Sequence, residues 1–284
     1  MKNILQKIQK SNPHILVIGE KILDEWYYGK YSRPCQEEPS IHIHSRKKDD
    51  FLFQWGGAYG VFRNLLALTS VSSRNFLSNL PEQNSTKTRF ADKKTGKILF
   101  RSDHDRECKP LFMPTLKVIH EPNIIISDYG KGFLDWGILK QIAEKFPEKR
   151  IIFSPHVTTC ATVPDDLTPF EKWIWVVNLD ESLHLSGKIP HIHAIIRTTG
   201  TKPVTWRADA HAEVCGQEPI TPIPIPHPVA VGDVFLAGFS AAYCSDVGLE
   251  QSIQFAIRCC SLALKSGRRG SHCLKKEDFK DVLG

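Results

Sequence analysis

Residues 229–239, VAVGDVFLAGF, set a Gly-Asp pair at the mouth of an apolar, helix-forming run. Gly232 lets the backbone approach a ligand, and the unpaired N–H groups of a first helical turn attract an anion. Asp233 there has two readings, a good helix-starting residue or a general base beside the bound anion. In NLDE, residues 178–181, Asn178 and Glu181 are three apart after an apolar run. They read as a capping box, and on a shared site the same two side chains suit a hydrated magnesium ion. Two glycine-rich turns accompany them: WGGAYG at 55–60, before VFRNLLALTS, and SDYGKG at 127–132, at the end of a buried-strand pattern. Loops at the carboxyl ends of parallel strands are where such sheets bind ligands.

The elements that must position these residues follow from hydrophobic period. MKNILQKIQKSNP carries Ile4, Leu5 and Ile8 at helical spacing and predicts an amphipathic lead-in helix, and HILVIGE at 14–20 predicts the first core strand. Between Tyr28 and Phe53 the pattern changes to short alternating stretches, SIHIH and FLFQW, which predict exposed antiparallel strands. KTRFAD and KILFRSD, joined by KKTG, predict a hairpin with glycine where positive φ is needed. These two insertions form a small sheet apart from the main body. Strands at 124–127, RIIFSP, WIWVVNLD and HAIIRTTG alternate with the helices ILKQIAEKF and ESLHLSG, which predicts a parallel sheet covered by helices. The last third holds two long helices, DVFLAGFSAAYCSD and LEQSIQFAIRCCSLALKSG, with Ala237, Gly238, Ala241 and Ala242 permitting close packing.

The chain has 284 residues, 41% of them hydrophobic and 24% charged, which excludes disordered and collagenous classes and suits one large α/β unit. No run reaches the ~20 apolar residues that span a bilayer, and the start lacks a signal-peptide core, so a cytoplasmic location without membrane attachment is expected. The eight cysteines (Cys35, Cys108, Cys160, Cys215, Cys244, Cys259, Cys260 and Cys273) show no C-x-x-C pair and read as reduced thiols. His42/His44 and His191/His193 alternate without a partner at zinc-ligand spacing and read as strand histidines. The net charge of +6 is scattered. Clusters such as Arg46-Lys47-Lys48 and Arg268-Arg269 read as solvated surface or phosphate-pocket charge, with no specific nucleic-acid partner expected.

With these motifs in order, the chain resembles the ribokinase-like (PfkB) carbohydrate kinases, and within them is most similar to bacterial heptose-7-phosphate kinase domains. The likeness covers nearly the whole length. ILVIGEKILDEWYYGKYSR with the later EEP resembles the opening strand, sugar-binding Asp and first lid segment. QWGGAYGVFRNLLAL resembles the Gly-Gly turn and helix, KTRFADKKTGKILFRSD the second lid hairpin, and IIISDYGKGFL the central strand and loop. NLDE falls on the N-x-x-E motif, RTTG on a nucleotide-side strand end, and AVGDVFLAGF on the signature loop.

The resemblance implies a single α/β domain over 1–284, a three-layer αβα sandwich with a mainly parallel central sheet and a small β lid at about 28–54 and 86–106. It implies transfer of the γ-phosphoryl group of ATP to a hydroxyl of a sugar or sugar phosphate, with ATP and Mg²⁺ as cofactors. Asp233 would take the hydroxyl proton, and the amides around Val231, Gly232 and Asp233 would stabilise the migrating phosphoryl group. Asn178 and Glu181 would organise magnesium through water, with Asn178, Thr198 and Gly200 on the nucleotide side. Asp24 would hold sugar hydroxyls, and Gly56, Gly57 and Lys131 would line the acceptor pocket. Lids of this family form dimer contacts, which leaves a homodimer through the β lid open.

The chain also departs from the pattern. Where the family reads D-T-x-G-A-G-D, this chain reads His227, Pro228, Val229, Ala230, Val231, Gly232, Asp233. The β-branched Val231 restricts a loop that must present consecutive N–H groups, which predicts an altered anion hole. Gly60 replaces an Asn of the sugar site, Ser154-Pro155-His156 replaces Asp-Pro-Lys, and Pro203 replaces a Gly. Two functions are therefore expected as alternatives, an active kinase or a kinase-fold protein that binds a ligand or protein partner without catalysis.

Overall fold

The structure is a computed structural model that describes residues 1–34, 41–44, 50–113, 119–188, 192, 194–208, 216–225 and 227–280; for 31–34 and 41–44 it describes the strand backbone only. The Arg46-Lys47-Lys48 cluster, His191, His193, Cys35, Cys215 and part of the expected first lid segment lie outside the described residues.

The first half contains α1 (Lys2–Ser11), β1 (Ile15–Gly19), β2 (Lys21–Pro34), β3 (Ile41–His44), β4 (Phe51–Gly57), α2 (Ala58–Leu68), β5 (Phe76–Leu77), β6 (Ser85–Asp92), β7 (Ile98–His104), β8 (Asn123–Ser127) and α3 (Trp136–Lys145). The second half contains β9 (Arg150–Ser154), α4 (Val157–Ala161), β10 (Ile174–Val177), α5 (Leu179–His184), β11 (Ala194–Thr199), β12 (Lys202–Arg207), β13 (Gly216–Glu218), α6 (Val231–Tyr243) and α7 (Leu249–Lys265).

Eight strands form the main sheet in the order β13-β12-β11-β10-β9-β8-β1-β5. From β11 to β5 every pairing is parallel, and β12 and β13 add an antiparallel edge. The continuous apolar runs seen in the sequence follow from burial on both faces. Ile15 and Val17 of β1 enter one core with Ile125, Ile152, Val176 and helices α1, α2, α6 and α7. Their neighbours Leu16 and Ile18 enter the other, with Ile126, Phe153, Trp175 and α3. Alternation along each strand thus builds a three-layer αβα sandwich. At the α6–α7 contact a Cβ on Gly238 would lie 3.2 Å from the Cα of Ala256, so the small residues of α6 do allow the helices to approach closely.

The second sheet is the small one expected from the two insertions, and β2 begins it immediately after β1. β3 and β4 pair antiparallel with β2, and β6 and β7 form the expected hairpin, with Gly96 at φ 72° in its turn. The two insertions are joined by a parallel pairing of β2 with β6, from Ile22 opposite Ser85 to Gly29 opposite Asp92. In this register Asp24 stands beside Lys87 and Trp26 beside Arg89 on one face, while Tyr27 stands beside Phe90 on the other. The short strands β5 and β13 carry too few alternating positions to stand out in the sequence, and β12, an antiparallel edge strand of six residues, is not expected from it.

Candidate active site

A cleft opens where the parallel strands end. β8 contributes Ser127, Asp128 and Tyr129, β9 leads into Pro155 and His156, β10 into Asn178, β11 supplies Thr198, and the starts of α5 and α6 supply Glu181, Gly232 and Asp233. Asn178, Glu181, Thr198, Gly232 and Asp233, all singled out in the sequence, therefore share one cavity.

The altered loop before α6 is resolved by one residue. Ala230 takes a left-handed conformation, φ 65° and ψ 12°, at the helix N-cap, and Val231 is already the first helical residue. The backbone demand expected to fall on the β-branched Val231 is met one position earlier, by a residue whose side chain is a single methyl group. Val231 N–H bonds the Pro228 carbonyl at 3.2 Å, and helix geometry leaves Gly232 and Asp233 N–H groups without intrahelical acceptors. A Cβ built on Gly232 meets nothing within 4 Å, so this turn is open to a ligand. Its donors and open backbone fit a phosphate group.

Asp233 is not the helix cap; its carboxylate turns inward, where the Tyr129 hydroxyl donates to Oδ1 at 2.5 Å. Burial, with Asp24 acting in the same direction, pushes its pKa up to about 7 against the opposing effects of Tyr129, Arg63 and Lys87. Gly60 of α2 faces Asp233, since a Cβ there would lie 2.5 Å from Oδ2. A side chain at position 60 would thus meet the Asp233 carboxylate.

Asn178 and Glu181 realise the capping reading while lining the cleft. The Asn178 side chain accepts from Glu181 N–H at 2.9 Å, and Glu181 Oε2 accepts from Asn178 N–H at 2.7 Å. Asn178 Nδ2 also donates to Glu181 Oε1 at 2.6 Å. Burial first, then Asp128 and Asp180, pushes Glu181 to about 7. With both Glu181 oxygens engaged, this oxygen-only donor set fits a cation that keeps its water shell, as magnesium does. Among the described residues no three His, Cys, Asp or Glu side chains converge as a metal-binding group.

The acceptor-side residues are placed differently. Asp24 lies buried on the inner face of the second sheet, with Oδ1 taking Arg89 Nη1 at 2.6 Å and Oδ2 taking the Ser271 hydroxyl at 2.9 Å. Gly56 leaves room for that carboxylate, because a Cβ there would overlap Asp24 Oδ2, and Gly57 has φ 64° at the N-cap of α2. Lys131 pairs with Asp105 at 2.6 Å and donates its N–H to Glu20 Oε1 at 3.1 Å. Gly200, with φ 71°, forms an exposed turn between β11 and β12 and, unlike Thr198, does not line the cleft.

Several residues at the site carried no individual role in the sequence: Glu20, Arg63, Lys87, Arg89 and, within the SDYGKG turn, Asp128 and Tyr129. Asp128 Oδ1 accepts from Gly130 N–H at 2.8 Å, and Oδ2 takes His156 N–H at 3.1 Å and the Thr159 hydroxyl. Lys87 Nζ stands 5.9 Å from the Tyr129 ring centroid, and burial, then Arg101, lowers its pKa. Arg63 Nε and Nη2 are buried without a hydrogen-bond partner among the described residues. Two signals for these residues existed in the sequence: Glu20 is a charge ending a wholly apolar strand, and Lys87 and Arg89 sit two apart, on one face of a hairpin strand.

No family model matches the sequence, and no curated protein matches it. Solved structures do. The chain superposes on a carbohydrate kinase from Agrobacterium tumefaciens with TM-score 0.64 and 15% identity, over 96% of this chain and 97% of that one. The fold is ribokinase-like. A nucleoside kinase from Methanocaldococcus jannaschii, an archaeal member of the ribokinase family, matches with TM-score 0.65 and 15% identity over 96% and 98% of the two chains. Arabidopsis thaliana ribokinase, solved with ribose and ATP, matches with TM-score 0.65 and 14% identity over 95% and 98%. Among the described residues of this ribokinase-like chain, no helix is long and apolar enough to cross a membrane.

Proposed function

We propose that this chain is an ATP-dependent kinase that phosphorylates a hydroxyl of a sugar or sugar phosphate, with Asp233 as general base. The observation that carries the reading is the inward-facing Asp233 carboxylate beside the open first turn of α6, in one cleft with Asn178 and Glu181. Bound MgATP would supply the transferable phosphoryl group and the cation that offsets its charge. Asp233 would accept the acceptor's hydroxyl proton as the new O–P bond forms and the bond to ADP breaks. The N–H groups of Gly232 and Asp233 would face the charge that develops, with Val231 setting the first helical turn. Asn178 and Glu181 would orient the cation's waters, and Thr198, whose hydroxyl bonds the Val177 carbonyl at 3.3 Å, would border the nucleotide.

On the acceptor side, half-buried Arg63 with two buried, unpartnered nitrogens and desolvated Lys87 favour an acceptor that carries its own negative charge, a sugar phosphate over a neutral sugar. Gly56, Gly57 and Lys131 would shape the pocket floor around Asp24. A homodimer through the second sheet is part of the proposal. Its outer face carries an aromatic row, with Tyr27 5.2 Å from both Phe51 and Phe90 and Phe90 5.9 Å from Phe100. Phe51, Phe53 and Phe100 are 42%, 58% and 57% exposed, which supports association through this face.

A second reading, binding without catalysis, is favoured by one observation: Asp24 and Asp233 are both engaged by the chain's own side chains. Calorimetric titration with Mg²⁺ and a non-hydrolysable ATP analogue, followed by turnover assays over sugar phosphates and sugars, separates the two. Binding with turnover that Asp233→Asn abolishes supports the kinase. Binding with no turnover of any acceptor supports the second reading, and no binding by the folded protein overturns the first.

A further inference from the structure

The loop between β8 and α3 is fixed at its start by buried carboxylates. Glu20, at the end of β1, accepts from Tyr129 N–H through Oε2 at 2.8 Å and from Lys131 N–H through Oε1 at 3.1 Å. Asp128 closes the turn through Gly130 N–H at 2.8 Å. The Tyr129 ring is therefore aimed by strand ends of the main sheet. Its hydroxyl reaches Asp233 Oδ1 at 2.5 Å, across 104 residues of sequence. The other oxygen, Oδ2, occupies the notch left by Gly60, where a Cβ would lie only 2.5 Å away. Donor and notch hold the carboxylate from two sides, one from the loop and one from α2.

We propose that Tyr129 is a positioning residue for Asp233, its hydroxyl holding the carboxylate seated against Gly60 in an orientation and charge state fit to accept a proton. The kinetic part of this proposal rests on Asp233 serving as base; the electrostatic part does not. A phenol that remains protonated can only donate to a carboxylate, so it favours the ionised form. Burial, with Asp233 second, pushes the Tyr129 hydroxyl well above its ordinary range, so it keeps its proton wherever Asp233 titrates. The other charged groups acting on Asp233 come from three elements: Asp24 of β2 opposes ionisation, while Arg63 of α2 and Lys87 of β6 favour it. Tyr129 alone among these is hydrogen-bonded to it.

The test is a ¹³C-carboxyl titration of Asp233, which needs neither substrate nor turnover. Tyr129→Phe keeps the ring and removes the donor. Its expected effect is a rise of the Asp233 midpoint by roughly one to two pH units, the weight of one charge-assisted hydrogen bond. Site-specific 3-fluorotyrosine at position 129, a stronger donor, is expected to move the midpoint the opposite way. An unchanged midpoint in folded Tyr129→Phe, or the same direction of change in both proteins, overturns the proposal. Where a phosphorylated acceptor has been found, the acid limb of the kcat profile should move with the midpoint while KM for the nucleotide stays within about twofold. A moved midpoint with an unmoved kcat limb would leave the electrostatic role standing and refute Asp233 as the base.

Discussion

Arg89 Nη1 of the second sheet lies 2.6 Å from Asp24 Oδ1, with only 5% and 7% of the two side chains exposed. The guanidinium also lies 5.0 Å from the buried Trp26 ring, and the second Asp24 oxygen is taken by Ser271. A sheet standing apart from the main body is thereby tied to the segment that follows α7. Removing one partner of a buried pair strands the other charge, so Arg89→Met is expected to cost about 3–5 kcal/mol in urea unfolding. The double variant Asp24→Leu, Arg89→Met should recover part of that loss, because neither charge is then buried alone.

Asp233 sets a pH dependence with a definite sign. Its folded pKa of about 7 lies above the ordinary 3.8, so it is protonated and unable to act as a base at acid pH. Phosphoryl transfer should rise with pH through about 7, and Asp233→Asn should lower kcat by roughly 10²–10⁴-fold. The same shift makes this group's contribution to stability full below pH 3.8 and lost as pH rises through 7. Asp233→Asn should therefore raise the melting temperature at pH 8 and leave it nearly unchanged at pH 4, as followed by thermal melts.

Glu181 and Asn178 share three hydrogen bonds and should separate on substitution. Glu181→Gln is expected to weaken Mg²⁺-dependent binding of a non-hydrolysable ATP analogue by calorimetry, while magnesium-free binding changes little. Asn178→Ala removes the N-cap of α5 and should also cost about 1 kcal/mol of stability. Equal analogue binding by wild type and Glu181→Gln would remove Glu181 from the cation site.

Ala230 holds a left-handed conformation that glycine adopts without a Cβ penalty. Ala230→Gly should stabilise the protein by roughly 0.5–1 kcal/mol in denaturant unfolding, with the α6 N-terminus unchanged. A loss of stability would mean that the turn is not held as described.

The aromatic outer face of the second sheet makes a prediction about assembly. Sedimentation should show a dimer, and replacing Phe53 and Phe100 by Glu should give a folded monomer with the same helical circular dichroism signal. A wild-type monomer at tens of micromolar protein would refute the proposed interface.

Much of the architecture was legible in local pattern. The apolar run at Ile15–Gly19 reads as a strand buried on both faces, and the KKTG turn as a hairpin, because those signals lie within a few residues of one another. The capping reading of Asn178 and Glu181 is local in the same way, and the structure contains it. Asp233 shows the limit of such reading. Its place near a helix start is local, whereas the choice between cap and inward-facing carboxylate depends on Tyr129 and Gly60, which come from other elements.

By its periodicities and turn residues alone, the sequence determined the central alternation of strands and helices and the small second sheet, but not β5, β12 or β13. Tertiary structure decided the rest. The parallel pairing of β2 with β6 sets Asp24 against Arg89, 65 residues away, and the loop after β8 brings Tyr129 against Asp233 at the start of α6, 104 residues away. Periodicity carries no information about such partners, because a side chain's face follows from its neighbours in sequence while its partner follows from where the sheet order brings distant strand ends together.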